Sequence, residues 1–450
     1  MRKTIVRSAL FLSLILSASA AIAEQCGTVP KPAYHNLCQG LSGSTAYEQM
    51  NRMNKPSQGK PVRDRSFGSK ITRITDAGSG GVVKPLYSTI QAWNADESLL
   101  LLYANINGTS SHELYDGRDY KWHGTLDISP GDIEEVFWHA TDPDVLFYVD
   151  GNNSQLLSYS IKRRRQSVLY DFNKECKGER LSVGGDPQMP SWDSRYIGLS
   201  CGGGDNSRAL VMIFDIEKKE ILSKGLTGAG DGEGERYDAW TAPAIAPSGE
   251  RLFFQGDVSK LDFKRQRELA IYSAGEHASL GKLPNGHDAL FAVGFDPASD
   301  AKRCDESIGA LVAHDLNTGE CNVVIGPSTG YGYPASGTHL SALAYRNPGW
   351  VALSSVGEAE KGVAGKVQKL FHQEIYLAYT DPEKPQVCRV AHHRSRGRDN
   401  DVLATPYYAE PHVSISPTGT RVIFGSDWHG GDSVDTYVVE LPSYRPCTPE

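Results

Sequence analysis

Ser416-Pro417-Thr418-Gly419, followed by the run Arg421–Ser426, shows the pattern from which the architecture can be read. An apolar segment breaks at residues that favour tight turns and restarts as a β-rich strand. The same unit recurs at spacings that suit a four-stranded blade. The other six turns are Trp93–Glu97, Trp138–Pro143, Pro190–Arg195, Ala246–Gly249, Phe295–Pro297 and Tyr345–Gly349. Because no segment shows a sustained helical period, the sequence predicts an all-β, seven-bladed β-propeller.

The two ends of the chain are expected to close the ring. After the last unit there is room for one more strand, Val434–Glu440, so the final blade lacks its outermost member. Ser69–Thr75 alternates polar and apolar residues and can supply it, which removes an open sheet edge. We therefore assign residues 69–450 to the propeller and residues 24–68 to a lead-in segment that packs outside the ring.

The N-terminus has the features of a Sec-type signal peptide. Arg2 and Lys3 precede the apolar run Ala9–Leu16, and small residues follow up to Ala23. This pattern predicts removal of residues 1–23, and the apolar run is too short to span a bilayer. We expect a secreted or periplasmic protein with no membrane partner.

Eight cysteines all follow the predicted cleavage site, in a compartment that permits disulfides. Proximity in sequence suggests four pairs, although spacing cannot fix the connectivity. The suggested pairs are Cys26–Cys38, Cys176–Cys201, Cys304–Cys321 and Cys388–Cys447.

The formal net charge of -8 disfavours nonspecific binding to nucleic acid. We therefore expect no nucleic-acid partner, and we expect a monomer.

Several histidines are predicted to gather at one end of the central channel. His287, His339 and His412 each follow a turn and are expected to open an inner strand, and His392 lies in the loop that feeds the last blade. Converging imidazoles suit a divalent metal. Zinc is the expected ion, with manganese or calcium as alternatives. The alternative to a metal site is a water-filled channel whose histidines bind water and backbone.

Other polar residues are expected at the same end, where they would resemble the lining of a carbohydrate cleft. These are Tyr87 and Gln91 on the first inner strand, Gln188 on the third, Arg236 and Tyr237 on the fourth, Arg208 in a glycine-rich loop and His123 between the first two blades. His139 lies in a Trp-His-x-x-Asp-Pro turn that should point to the opposite end, where it can also act as a turn cap.

Six motifs resemble a family of secreted bacterial propellers related to oligogalacturonate lyases and ulvan lyases. They are Trp93–Asp96, Gly286–Asp288, Thr338–Ser341, Arg346–Trp350, Arg389–His392 and Glu410–Pro417. The resemblance implies cleavage of an acidic, uronate-containing and possibly sulfated polysaccharide such as ulvan by β-elimination, with a bound divalent metal.

Elimination beside a uronate carboxylate needs a group that neutralises the carboxylate, a base and an acid. We assign His123 as base or neutraliser and Tyr237 as base or acid. The resemblance to ulvan lyases implies a histidine pair, in which His139 or His112 would be the partner of His123. Arg208 or Arg236 is the expected carboxylate clamp. Tyr87, Gln91 and Gln188 are expected to bind substrate. The rival hypothesis is a non-catalytic exported propeller that binds a carbohydrate or protein partner.

Overall fold

Seven antiparallel sheets make up nearly all of the regular structure in a computed structural model of the chain. The structure describes residues 36–202, 209–226, 242–254, 256–262, 269–270, 277–293, 309–334, 338–356 and 370–445. The sheets follow one another along the chain as the blades of a propeller, so the predicted fold is confirmed. The signal peptide proposed for residues 1–23 lies outside the described ranges and stays a prediction.

Each blade places its first strand innermost, at the central channel, and we number the blades along the chain. From the inside outwards, the strands of blade 1 are Val82–Lys84, Leu99–Ile106, Thr109–Asp116 and Trp122–Thr125. Those of blade 2 are Val136–Trp138, Val145–Asp150, Gln155–Ser160 and Arg165–Asp171. Those of blade 3 are Leu181–Ser182, Tyr196–Cys201, Leu210–Asp215 and Glu220–Leu226. Those of blade 4 are Ala244–Ile245, Arg251–Phe254, Asp257–Lys260 and Leu269–Ala270. Those of blade 5 are Ala278–Lys282, Asp288–Val293, Leu311–Asp315 and Cys321–Ile325. Those of blade 6 are Thr338–Ser341, Trp350–Ser355, Glu374–Tyr379 and Gln386–His392. Within the described ranges, the helical segments are the α-helix Asn173–Cys176 and the 3-10 turns Pro327–Thr329, Gly397–Asp399 and Pro406–Ala409.

Blade 7 closes the ring with strands from both ends of the chain. Its three inner strands are Ser414–Ile415, Arg421–Ser426 and Asp435–Glu440. Lys70–Arg73 pairs with the third of these in antiparallel register, which confirms the predicted N-terminal strand. Pro61–Arg63 then adds a fifth strand that the sequence pattern did not predict.

Hydroxyl side chains link the inner strands of successive blades around the channel. The Ser279 hydroxyl of blade 5 accepts the Ala342 N–H of blade 6 at 3.1 Å, and the Ser341 hydroxyl of blade 6 accepts the Ile415 N–H of blade 7 at 3.2 Å. The Ser414 hydroxyl of blade 7 then donates to the Ile90 carbonyl of blade 1 at 3.2 Å. These bonds satisfy buried backbone groups that neighbouring blades cannot pair with one another.

The lead-in segment is fastened to the outside of blades 6 and 7. Cys38 is bonded to Cys388 of the outermost strand of blade 6, and the Arg389 N–H donates to the Ser42 carbonyl at 2.9 Å. Asp64 forms a buried salt bridge with Arg394 at 2.9 Å. The lead-in segment is therefore bound to a part of the chain that follows it by more than three hundred residues.

The disulfides correct part of the predicted pairing. Cys176–Cys201 is confirmed, whereas Cys38 pairs with Cys388 because folding brings the lead-in against blade 6, so both predicted pairs that used these two residues are wrong. Cys321 is also disulfide-bonded, and its predicted partner Cys304 lies outside the described residues. Disulfides are consistent with an extracellular or periplasmic location.

None of the helices in the described ranges is long and apolar enough to cross a membrane.

Replacing both Cys38 and Cys388 by Ser is expected to lower the free energy of unfolding by about 5 kcal/mol, because the bridge restricts a very long loop in the unfolded chain. The matched pair Cys176→Ser with Cys201→Ser should cost about 3 kcal/mol. The sequence separations of 350 and 25 residues set this order. Urea unfolding measures both, and a larger loss for the shorter loop would contradict the expected order.

Candidate metal centre and active site

The inner strands of blades 5, 6 and 7 begin with the same three-residue pattern, His-x-Ser. The three copies are His277-Ala278-Ser279, His339-Leu340-Ser341 and His412-Val413-Ser414. Residues two apart on a strand share a side, so His339 lies on the same side as Ser341, the serine that joins blades 6 and 7. Inner strands of a propeller run parallel to one another, so the three histidines meet at one end of the channel. We call this end the mouth.

The three imidazoles form a compact cluster. The rings of His277 and His339 stack with their centroids 3.9 Å apart, and those of His339 and His412 meet edge to face at 4.3 Å. The ring of Tyr87, which follows the inner strand of blade 1, lies 5.4 to 6.0 Å from all three. Blades 1, 5, 6 and 7 thus contribute to one site.

Glu410 completes a possible metal site with His339 and His412, since their ligand atoms all lie within 4.8 Å of one another. Its Oε2 atom is 3.4 Å from Nε2 of His339 and 3.7 Å from Nε2 of His412. The guanidinium of Arg398 holds the other oxygen, Oε1. One carboxylate oxygen therefore remains directed at the imidazoles.

The tautomer of His277 suits a ligand role. Its Nδ1 donates to the Thr338 carbonyl at 3.1 Å, which leaves the lone pair on Nε2. Metal-binding histidines commonly use this arrangement, in which a backbone carbonyl fixes the ring and the other nitrogen faces the ion.

Burial keeps His339 and His412 in the ligand form. Desolvation, followed by the charges of nearby cationic groups, places the pKa values of His339 and His412 well below the ordinary value for histidine. Both nitrogens of His339 and the Nε2 of His412 are buried without a hydrogen-bond partner. Buried polar atoms without partners are uncommon and costly, so their convergence fits a bound cation. Three imidazoles with one carboxylate suit a transition metal better than calcium, which prefers oxygen ligands.

The backbone at His412 is held in an unusual conformation. Its φ of 42° lies in the left-handed region, which a residue with a Cβ seldom adopts. Such conformations concentrate at functional sites, where surrounding structure holds them in place. Here the Glu410-Pro411-His412 corner directs two of the candidate ligands into the mouth.

Two acidic side chains act on Tyr87 through their charges. Glu134 precedes the inner strand of blade 2, and Asp186 follows the inner strand of blade 3. Burial and the neighbouring Asp132 raise the pKa of Glu134 to about 7 although Lys84 opposes the shift. Desolvation by the surrounding protein, and then Glu134, raise the pKa of Asp186. Both carboxylates disfavour ionisation of the Tyr87 phenol.

Of the four predicted metal ligands, His339 and His412 lie in the cluster. His287 does not, because Pro284-Asn285-Gly286 turns from the inner to the second strand of blade 5, at the end away from the mouth. Its Nδ1 there lies 2.6 Å from Asp315 Oδ2, and the side chain is 40% exposed. The expected position of His287 on an inner strand is thus corrected.

His392 lies at the end of the outermost strand of blade 6 and packs against the lead-in segment rather than the cluster. Its backbone N–H donates to Asp64 at 3.1 Å, its Nε2 is 3.2 Å from the Glu48 carbonyl, and its ring contacts Phe67. The predicted convergence with His339 is therefore corrected for this residue too.

His123 and His139, the predicted catalytic histidines, both lie away from the mouth. His123 belongs to the outermost strand of blade 1, just after the hairpin that carries Asp116, rather than to a loop between blades. His139 Nδ1 accepts the N–H groups of Thr141 and Asp142 at 3.2 and 3.1 Å, so it caps a turn at the opposite end. These positions remove the geometric basis for the proposed base and its partner.

Two of the predicted substrate-binding residues instead tie the blades together. The Gln91 amide of blade 1 donates to the carbonyls of Leu343 and Ile415, in blades 6 and 7, at 3.1 and 2.9 Å. Gln188 bonds both ways with the inner strand of blade 5. Tyr87, by contrast, lies at the mouth, as predicted. Arg208, Arg236 and Tyr237 lie outside the described residues, so their roles stay predictions.

Sequence reasoning missed His277 and Glu410. The His-x-Ser repeat carried the signal for His277, since blades 6 and 7 both have it and His277-Ala278-Ser279 is a third copy. Glu410 adjoins a predicted ligand, but nothing in the sequence shows that its carboxylate turns back towards His339.

Comparisons with known proteins bear on the fold. No protein-family model matches the sequence, and no curated protein is significantly similar to it. Among solved structures, an oligogalacturonate lyase in complex with manganese has a TM-score of 0.58 at 17% identity, over 85% of this chain and 96% of the other. The oligogalacturonate lyase of Vibrio parahaemolyticus has a TM-score of 0.57 at 16% identity, with the same coverage. This chain shares their fold.

Replacing His339 by Gln should weaken Mn²⁺ binding by more than the roughly 10–100-fold that loss of a supporting residue costs at a metal site. The reason is that the change removes a nitrogen from the converging cluster. His277→Gln should behave alike, since its ring stacks on that of His339 and its Nε2 keeps a lone pair. Calorimetric titration with Mn²⁺ alone measures the affinity.

The matched control is His287→Gln, at the opposite end of blade 5, which should bind Mn²⁺ like the unmodified protein. Equal losses in the control and the cluster variants would refute the assignment.

Because the ring of His393 is buried in its neutral form, we expect the folded protein to lose stability in acid. Desolvation lowers its pKa to about 3 in the folded protein, and its Nδ1 accepts the Ser395 N–H at 3.0 Å, which requires the neutral ring. The unfolded chain takes up the proton below about pH 6.5, so folding loses about 1.4 kcal/mol per pH unit from that group as pH falls towards 3. His393→Gln should flatten the slope of unfolding free energy against pH between about 6 and 4, measured in urea. An unchanged slope in the variant would show that the ring is not held neutral.

Proposed function

We propose that the protein is a metal-dependent polysaccharide lyase that cleaves a uronate-containing polysaccharide by β-elimination. The observation that carries the proposal is the cluster of His277, His339, His412 and Glu410 at the mouth of the channel. A fold shared with oligogalacturonate lyases, one of them a manganese complex, supports it.

The chemistry explains why a cation belongs at this position. Removing the C5 proton of a uronate builds negative charge on the neighbouring carboxylate, and that charge must be stabilised. A bound divalent ion supplies positive charge that neutralises the carboxylate and makes the C5 proton more acidic. His339, His412 and Glu410 would hold the ion, and thereby the position at which the carboxylate binds.

Tyr87 is our candidate for the acid that protonates the leaving oxygen. Its ring contacts all three imidazoles, so its hydroxyl belongs to the same site. Desolvation, followed by the carboxylates of Asp186 and Glu134, raises the pKa of Tyr87 well above the ordinary value, so the phenol keeps its proton. A group that stays protonated at neutral pH can donate to an oxygen that leaves as an anion.

Tyr237 is our candidate for the base, and Arg208 or Arg236 for the carboxylate clamp, because these residue types fit the reaction. Ulvan is one candidate substrate among the uronate polymers. Manganese is the ion to test first, and zinc suits the same nitrogen-rich ligand set.

Incubation of the Mn²⁺-loaded protein with a panel of uronate polymers should release products with the ultraviolet absorbance of a conjugated, unsaturated uronate. Tyr87→Phe removes only the hydroxyl and should lower turnover by about 10²–10⁴-fold, the range for loss of a general acid. Mn²⁺ affinity should stay unchanged, which separates a catalytic from a structural effect.

His139→Gln is the matched control, since this turn cap lies at the opposite end of the channel and should retain full turnover. Binding of the polymers without any unsaturated product would instead favour a non-catalytic carbohydrate-binding propeller.

A further inference from the structure

Arg398 lies beside the candidate metal site, on the loop that joins blade 6 to blade 7. Its Nε donates to Oε1 of Glu410, while Oε2 of the same carboxylate faces His339 and His412. The guanidinium carbon lies 5.4 Å from the centroid of the Tyr407 ring, and that ring lies 5.1 Å from the ring of His412. Arg398 is therefore held by a carboxylate and an aromatic ring at the edge of the imidazole cluster.

The loop that carries Arg398 is anchored on both sides. The Arg396 N–H, two residues before it, and the Asn400 amide, two residues after it, donate to the buried carboxylate of Asp427 at 3.0 and 2.8 Å. Gly397 has a φ of 57°, a conformation that favours glycine and permits the tight turn. Side chains on surface loops are ordinarily mobile, whereas both the backbone and the side chain fix the position of this arginine.

The guanidinium presents its terminal nitrogens to solvent. Glu410 uses only Nε, the Arg398 side chain is 71% exposed, and among the described residues no hydrogen bond or salt bridge uses the other two nitrogens. An arginine binds the paired oxygens of a carboxylate or a sulfate through two parallel N–H groups. A free end is ordinary for an exposed arginine, but this one is fixed in place within reach of a ligand at the cluster.

The reaction itself leaves Arg398 available for a second acidic group. In the proposed elimination the bound ion neutralises the carboxylate of the reacting uronate. The guanidinium lies on the other oxygen of Glu410, on the outer side of the candidate ligands, where the next sugar of a bound chain would pass.

We propose that Arg398 binds a carboxylate or sulfate group on the sugar next to the reacting uronate, with Tyr407 and Glu410 holding the guanidinium in position. This inference rests on the proposed lyase function and narrows its substrate class. It selects chains that carry acidic groups on successive sugars over chains in which uronates alternate with neutral sugars.

The alternative is that Arg398 serves only to orient Glu410, and Arg398→Lys separates the two roles. Lysine keeps the positive charge and can donate one hydrogen bond to Glu410, but it lacks the planar pair of N–H groups that an arginine offers to two oxygens. Orientation of Glu410 should therefore survive in R398K, so that Mn²⁺ binds it as it binds the unmodified protein, whereas recognition of the second acidic group should not.

The test compares two pairs of polymers on the Mn²⁺-loaded protein by calorimetry. They are oligogalacturonate with its partly methyl-esterified form, and ulvan with desulfated ulvan. Within each pair the members differ in the acidic groups beside a uronate. In a recognised pair, R398K should bind the more acidic member about tenfold less tightly than the unmodified protein does, and its affinity for the other member should fall less.

Two further variants frame this result. Arg398→Met keeps most of the apolar stem but removes the charge, so its affinity for the more acidic member should fall by about 10–100-fold. The matched control is Arg163→Lys, on an exposed hairpin between the outer strands of blade 2 at the opposite end of the channel, and it should keep every affinity.

The outcomes separate the inference from the proposed function. A selective loss in the galacturonate pair supports the inference with a carboxylate as the partner, and one in the ulvan pair supports it with a sulfate. Equal losses within each recognised pair, no loss, or a fall in the Mn²⁺ affinity of R398K as large as its loss of polymer affinity overturns the inference. Release of unsaturated product then leaves the lyase function standing.

A selective loss in R398K without unsaturated product from any polymer has the opposite meaning. It sinks the lyase function and leaves Arg398 supported as an anion-binding residue. Failure of the unmodified protein to bind any of the four polymers overturns both.

Discussion

The antiparallel pairing of Lys70–Arg73 with Asp435–Glu440 is the constraint on which the other features depend. It joins strands from the two ends of the chain, with Ile71 opposite Val439. Blade 1 supplies Tyr87, whereas His412 belongs to blade 7, the last along the chain. Blades 1 and 7 are neighbours only when the ring is closed. The contact between Tyr87 and His412 therefore depends on the strand pairing at the outside of blade 7.

Closure alone would leave a channel lined by unpaired backbone groups. The inner strands solve this with alternate residues: the serine of each His-x-Ser copy binds the next blade, and the histidine two positions earlier reaches the mouth. The ring and the candidate metal site therefore share the same short strands. A shift of one residue in any of these strands would remove both the interblade bond and the ligand, because the side-chain period of a strand is two.

Much of the architecture could be predicted from local pattern, because each blade repeats a turn with an obligatory composition. The prediction was wrong in blade 5, where Pro284-Asn285-Gly286 was taken to precede the inner strand. This segment has the composition of any tight turn. Composition does not say whether a turn precedes the first or the second strand, and that ambiguity moved His287 to the wrong end. His277 was missed for the same reason. Glu410, Cys38–Cys388 and the fifth strand Pro61–Arg63 depend on contacts between distant segments, which no local pattern encodes.

The closure also has a consequence for when the protein can fold. The strand Lys70–Arg73 precedes blades 1 to 6 along the chain, and its partner strand Asp435–Glu440 follows them. Contacts between segments so far apart in sequence form late, because closing a long loop costs chain entropy before the contact is gained. The same delay applies to Cys38, whose partner Cys388 lies 350 residues away. The folding chain should therefore pass through an open arc of blades, with the mouth unassembled, before its two end strands pair.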